Sequence, residues 1–469
     1  MTIGGELVSA DETIEIVNPA TGAAFATAPR ASRGDLDRAV AAAVAAQKLW
    51  RRTPIDERRA RLRAAAERLR GHSAEAGRLF TLEQGRPLPL AEYEITGAAA
   101  WLEAVAAMDL PVEVTEDSAA RRIEVHHEPL GVVCAIVPWN FPVALAVWKI
   151  APALLAGNTM VLKPSPFTPL CMLKIAELLR EVLPPGVLNV ISGGDELGPW
   201  MTAHEGFAKI SFTGSTATGK RVMEAAAKDL KRVTLELGGN DAAIVLADVD
   251  VDKVAARIFQ GAFFNSAQLC VATKRLYVHE AVYDRLRDAL VALATEARVG
   301  DGLEPGVAFG PIQNRPQYER VLALIEDARA SGLTVLQGSA PQGQGYFVPL
   351  TIVDDPPETA RVVTEEAFGP VLPMMRFTAL DEVIRRANDS EYGLAGAVWS
   401  GDVAKAVEVA HALETGTVWI NENLHLPPHT PFGGHKQSGF GVENGQSGLL
   451  EFTRAKSIYI SKPKPARAG

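Results

Sequence analysis

The chain has 469 residues, 47 % hydrophobic and 22 % charged, with a formal net charge of −9. That is a globular balance, and the length exceeds one ordinary domain, so two or three domains are expected. An acidic pI of about 5.6 argues against nucleic acid or an anionic membrane as partner, since both select a basic face.

The N-terminus is polar and acidic and lacks the basic start and apolar run of a secretion signal. The longest apolar stretches, Gly131–Val137 and Ile150–Ala156, are too short to span a bilayer. Three widely spaced cysteines, Cys134, Cys171 and Cys270, make neither a disulfide framework nor a zinc-type pair. The expectation is a reduced, cytoplasmic protein with no bound metal.

Residues 35–70 place apolar side chains at helical spacing (Leu36, Val40, Val44) and read as exposed amphipathic helices. Arg121–His127 reads as an alternating strand. From Gly131, apolar strand-like runs alternate with helical stretches: 131–137, a helix over Ala144–Leu155, 159–165, a helix over Leu170–Leu183, then VLNVISG, AKISFTG and RVTLELGG. Such alternation predicts βαβ units and a parallel sheet. A second set starts near Asp241 and includes 275–280, a helix after Val282, 365–377, VWSGD and 417–423. Two α/β domains meeting near Leu237–Asn240 are therefore expected. The basic tail 462–469 is expected to fray.

Four segments carry candidate chemistry. Pro138-Trp139-Asn140-Phe141-Pro142 follows a buried strand, where open α/β sheets bind ligands, and the Asn140 amide could donate to a developing oxyanion. Taken alone, the segment is more simply a rigid turn. Gly214, Ser215 and Gly219 lie in FTGSTATGK between a strand and a helix, where backbone amides can meet a phosphate. An ordinary helix cap has the same composition. Glu236 is a lone carboxylate in an apolar run before Gly238-Gly239; desolvation would raise its pKa and make it a general base. An isolated glutamate is more often a half-exposed strand residue. Cys270, in NSAQLCVA, could be a nucleophile, although most single cysteines are inert core residues.

The order PWNFP, KPS, FTGS, LELGGN, the Cys270 segment, EEAFGP and PFGGHKQSG, with 34 residues from Glu236 to Cys270, resembles the aldehyde dehydrogenase superfamily over nearly the whole chain. The resemblance implies an α/β fold with a variant Rossmann cofactor domain (1–110 and 131–236), a catalytic domain (237–454) and a small β arm joining subunits (111–130 and 455–469). It implies NAD(P)-dependent oxidation of an aldehyde to the acid. Cys270 would form the thiohemiacetal and thioester, Asn140 and the Cys270 N–H the oxyanion hole, and Glu236 the hydrolytic base. It assigns Pro138, Trp139, Lys163, Gly214, Ser215, Gly219, Leu237, Glu366 and Phe368 to the cofactor, with supporting roles for Asn421 and Lys436. The substrate tunnel falls to Phe141, Leu145, Trp148, Phe264, Leu269, Val271, Leu424 and Leu426.

Those tunnel residues are apolar and include no arginine, so an aliphatic or aromatic aldehyde is expected over an acid-bearing one. His425 and His429 are read as loop histidines facing water. Pro166 stands where many NAD-using relatives carry Glu, which leaves NADP open beside NAD. Ala267 stands where Gly often precedes the Gln. The alternatives are a semialdehyde dehydrogenase, a CoA-acylating relative, and a non-catalytic binding protein on the same fold. The expected assembly is a homodimer or homotetramer, with no nucleic-acid or membrane partner.

Overall fold

The computed structural model describes residues 1–463; the remainder of the expected C-terminal arm and fraying tail, 464–469, lies outside them. Two large sheets organise the chain. In the first, Leu188–Val190, Thr159–Lys163, Val132–Ile136, Lys209–Thr213 and Arg232–Glu236 lie side by side and parallel. Antiparallel strands close both edges, Thr2–Ile3 followed by Glu6–Leu7 at one and the late pair Gly439–Phe440 at the other. In the second, Thr351–Asp354, Val371–Phe377, Arg275–His279, Ala242–Val245, Ala395–Trp399 and Thr417–Ile420 are parallel, and Thr334–Gln337 adds an antiparallel edge. The chain leaves the first sheet after Glu236 and enters the second at Ala242.

The central strands are buried on both faces, as VVCAI and KISFT show at every position. Helices cover those faces, which is why the strands are continuously apolar rather than alternating. The early helices are Arg33–Trp50 and Ile55–Gly71. The first buries Leu36, Ala39, Val40 and Ala43, but Val44 is exposed, so its inner stripe is narrower than the predicted one. The predicted 170–183 helix stops at Leu179, and only Val371–Phe377 of the 365–377 segment is strand. Glu365–Pro370 instead forms a turn beside the cleft described below.

Helix Pro142–Leu155 joins the two halves. Val143, Ala146, Val147 and Ile150 pack into the core of the first sheet, while Leu145 and Trp148 pack into that of the second. Its start is fixed by Glu94, whose carboxylate accepts the Val143 and Ala144 amides at 3.0 and 2.9 Å. A carboxylate there satisfies orphan donors and complements the helix dipole. Buried Arg86 binds Glu94 and the Asn140 carbonyl together, which anchors the preceding turn.

A three-stranded antiparallel sheet stands apart, in the order Thr453–Ser461, Arg121–Pro129, Glu113–Asp117. Its outer strand exposes Ile458, Tyr459 and Ile460. Among the described residues, no helix is long and apolar enough to cross a membrane.

Candidate active site

In the first sheet the strand order runs outward in two directions from Val132–Ile136 and Lys209–Thr213. That reversal leaves a crevice at the carboxyl ends of the strands, the usual ligand position in open α/β sheets. Pro138-Trp139-Asn140 follows one strand, Gly214-Ser215 the other, and Leu237-Gly238 the neighbouring third.

Two cavities open there. One, of about 180 Å³, is lined by Pro138, Trp139, Gly214, Ser215, Leu237, Gly238, Glu366 and Phe368, together with Gln317 and Arg320. The other, of about 190 Å³, is lined by all of Phe141, Leu145, Trp148, Phe264, Leu269, Val271, Leu424 and Leu426, with Glu236, Phe432 and Glu443. Asn140, Leu145, Thr213, Leu237 and Cys270 line both. Cys270 thus stands where the two spaces meet.

The first cavity has the form of a dinucleotide cleft. Ser215 caps helix Thr216–Ala227, its hydroxyl accepting from the Thr218 amide at 3.3 Å, so the helix N-terminus points at the crevice. A Cβ on Gly238 would lie 2.4 Å from Glu366 Oε2, so glycine is what lets that carboxylate approach the backbone. Glu366 accepts from the Gly239 amide at 3.1 Å. Phe368 adopts a left-handed φ of 47° and meets Trp139 edge to face at 5.4 Å. Such strain on a bulky residue is characteristic of functional sites. These residues fit a nicotinamide dinucleotide.

Lys163 and Gly219 line neither cavity. Lys163 is buried, donates to the Pro164 carbonyl at 3.3 Å, and burial brings its pKa down to about 8. Gly219 packs against Leu237, where a Cβ would lie 2.4 Å from Leu237 Cδ2; its smallness sets how closely the helix approaches the strand. Asn421 exchanges two hydrogen bonds with Ser400, and Lys436 donates to the Asn388 carbonyl, so both brace loops. His425 and His429 are exposed, as expected.

The second cavity is an aromatic box. Phe141 and Phe264 are nearly parallel, with centroids 6.3 Å apart, and Trp148 meets Phe432 edge to face at 5.8 Å. Trp101 stacks behind Trp148 at 5.0 Å.

Cys270 follows an unusual turn. Asn265, Ser266 and Ala267 take φ of 53°, 54° and 57°, three consecutive left-handed residues without a glycine. Ala267 lines neither cavity, so its methyl acts on the backbone rather than narrowing the site. Gln268 holds the turn through the Asn265 and Pro311 carbonyls. The Asn140 amide donates to the Gln268 carbonyl at 3.0 Å, which orients it and leaves its second N–H for a ligand. Burial pushes the Cys270 thiol up to about 12; Lys274 opposes the shift, and Asp241, Glu236 and Glu366 add to it.

Glu236 is 3 % exposed and, among the described residues, neither carboxylate oxygen has a partner. Burial above all, and then nearby Glu443, hold its pKa well above the usual carboxylate range, against the pull of Lys149. Lys149 is fully buried and ion-paired with Glu443. Glu443 and Lys149 were not singled out from the sequence. A lone lysine inside the wholly apolar helix PVALAVWKIAPALL was the one signal available for the pair.

A family model described as "Aldehyde dehydrogenase family" matches residues 7–458. The chain is 44 % identical over 466 residues to a protein named "Probable aldehyde dehydrogenase" from a Pseudomonas species, covering 98 % of this chain and 94 % of that one. It is 40 % identical over 484 residues to a phenylacetaldehyde dehydrogenase of Pseudomonas fluorescens, covering 98 % and 95 %. Among solved structures, an NAD+ complex of an aldehyde dehydrogenase from Bacillus cereus superposes with a TM-score of 0.96 at 38 % identity, covering 98 % of this chain and 96 % of that one.

Proposed function

The chain belongs to the aldehyde dehydrogenase family, and from that premise we propose that it oxidises an apolar aldehyde to the carboxylic acid with NAD, through Cys270 and Glu236. The observation that carries this reading is the position of Cys270 at the junction of a glycine-walled cleft and an apolar box containing Glu236.

Bound in the cleft, the nicotinamide dinucleotide supplies the acceptor for the aldehyde hydride. Pro138, Trp139, Leu237 and Phe368 would enclose it, Glu366 would take hydroxyl hydrogen bonds, and Gly214 and Ser215 would offer backbone to the phosphates. With its proton given up to solvent, the Cys270 sulfur attacks the carbonyl carbon, and the free Asn140 N–H with the Cys270 amide holds the resulting oxyanion. Loss of the aldehyde hydride to that acceptor would leave the acyl group on Cys270 as a thioester. Glu236 then takes a proton from water, whose oxygen displaces the thiolate. A carboxylate desolvated as Glu236 is becomes a stronger base than one in water.

The apolar box supports a substrate of about one aromatic ring or an equivalent alkyl chain. An apolar cavity of about 150 Å³ accepts benzene, and this one measures about 190 Å³. Among the described residues, the charged side chains on its wall are Glu236 and Glu443, with no arginine or lysine, which disfavours a semialdehyde acid. Glu236 in the same wall supports water over CoA as acyl acceptor. Pro166 brings no carboxylate to repel a 2′-phosphate, so NADP is a second cofactor to test. The sheet change after Glu236 supports a cofactor domain of 1–110 and 131–236 and a catalytic domain of 237–454. The exposed apolar edge of Thr453–Ser461 supports pairing of that arm with a second copy, giving a homodimer or homotetramer. The three unpaired cysteines support a reducing cytoplasmic setting.

The test is reduced-cofactor absorbance with NAD and NADP in parallel, across benzyl, alkyl and acid-bearing aldehydes. The proposal expects turnover of benzyl or alkyl aldehydes; turnover confined to acid-bearing ones, or none without CoA, would overturn it.

A further inference from the structure

Behind Cys270 lies a buried charge cluster whose Lys274 and Asp241 the mechanism above does not use, and which reaches Glu366 on the cleft wall. Lys274 is 5 % exposed. Its Nζ donates to the Cys270 carbonyl at 2.5 Å and lies 3.5 Å from the Ala272 carbonyl and 3.6 Å from Glu366 Oε1. The Lys274 backbone is held too, its N–H donating to the Asp241 carbonyl at 3.0 Å. Asp241 is buried, with one carboxylate oxygen accepting from the Ala395 amide at 3.1 Å and the other unpartnered. Gly239 makes this packing possible, since a Cβ there would lie 2.9 Å from the Cys270 oxygen and 2.7 Å from Asp241 Oδ1.

We propose that Lys274 is a positioning residue: it clamps the carbonyl of Cys270 and, through Glu366, links the thiol to occupancy of the dinucleotide cleft. The proposal rests on Cys270 being the nucleophile. A buried ammonium requires anionic or carbonyl partners, and here those partners are the nucleophile's own backbone and a carboxylate on the cleft wall. Glu366 therefore faces two ways. Hydroxyl donors arriving in the cleft stabilise its charge, weaken its pull on Lys274 and leave the ammonium to the Cys270 loop. The charged groups facing this cluster are Asp241, Glu366, Glu236, Arg275 and Arg320. Lys274 is the cation that opposes the three carboxylates acting on the thiol.

The test is alkylation of Cys270 by iodoacetamide, read as mass gain on the Cys270 peptide across pH, with and without NAD. In the intact protein, NAD should speed alkylation. Lys274→Met should slow it by about tenfold near neutral pH, move its rise to higher pH, and shrink the response to NAD. NAD binding, read by intrinsic fluorescence, should remain. Lys274→Arg should restore most of the rate, which a loss of packing alone would not explain. Should Lys274→Met fail to fold, Glu366→Gln provides the second reading: faster alkylation in the absence of NAD. A Lys274→Met protein with the wild-type rate and pH profile, or a Glu366→Gln protein no faster than wild type, overturns the proposal. Because alkylation reads the thiol without turnover, a wrong clamp is distinguished from a wrong nucleophile: Cys270→Ala would then still oxidise aldehydes.

Discussion

Replacing Lys149 with Met removes the buried cation that is ion-paired with Glu443. Lys149 is fully buried and Glu443 is 2 % exposed. Breaking a buried pair by deleting one member costs about 3–5 kcal/mol, because the remaining charge is stranded. Glu443 already has one oxygen without a partner, and Ser211 Oγ, at 3.4 Å, is its weak alternative donor. The loss should therefore fall within that range in denaturant unfolding followed by tryptophan fluorescence. The variant Lys149→Met with Glu443→Leu should recover most of it, since an apolar pair of similar volume carries no desolvation cost. Catalysis supplies a second readout. Lys149 pulls the Glu236 pKa down, so its removal raises that pKa further and shifts the acid limb of the deacylation rate to higher pH. A loss below about 1 kcal/mol, typical of an exposed pair, together with an unmoved acid limb, would refute the reasoning.

Cys270→Ala should abolish aldehyde oxidation while leaving NAD binding intact, measured by cofactor absorbance and fluorescence quenching. Ala267→Gly should raise stability by about 1 kcal/mol in denaturant unfolding, because a left-handed alanine costs about 1–2 kcal/mol and glycine's added unfolded-state entropy offsets part of the gain. Leu426→Arg places a cation at the half-buried wall of the apolar box. It should raise kcat/KM for an acid-bearing semialdehyde relative to phenylacetaldehyde by about tenfold or more, on the scale of one charge-assisted hydrogen bond of about 1.5–3 kcal/mol.

Much of the site was legible in the sequence because its segments fall at fixed points in the fold: strand ends at Ile136, Thr213 and Glu236, each followed by turn-forming residues. The tunnel residues, from Phe141 to Leu426, came from the family resemblance, and the structure gathers them around one cavity. What escaped depends on contacts between distant residues. Glu443 meets Lys149 across 294 positions, and Arg86 reaches the Asn140 carbonyl across 54. Neither pairing leaves a periodic trace. The left-handed run at Asn265–Ala267 is likewise invisible in composition, since none of its residues is glycine. The strand Gly439–Phe440 escaped because two residues carry no pattern, although they close the edge of the first sheet beside Glu236.

The central claim is that an acyl group passes through Cys270 and leaves with the help of Glu236. Glu236→Gln incubated with NAD and phenylacetaldehyde, quenched in acid and digested, should give one burst of reduced cofactor and a phenylacetyl mass gain on the Cys270 peptide. Steady wild-type turnover by that variant, or an acyl mass on any other residue, would contradict it.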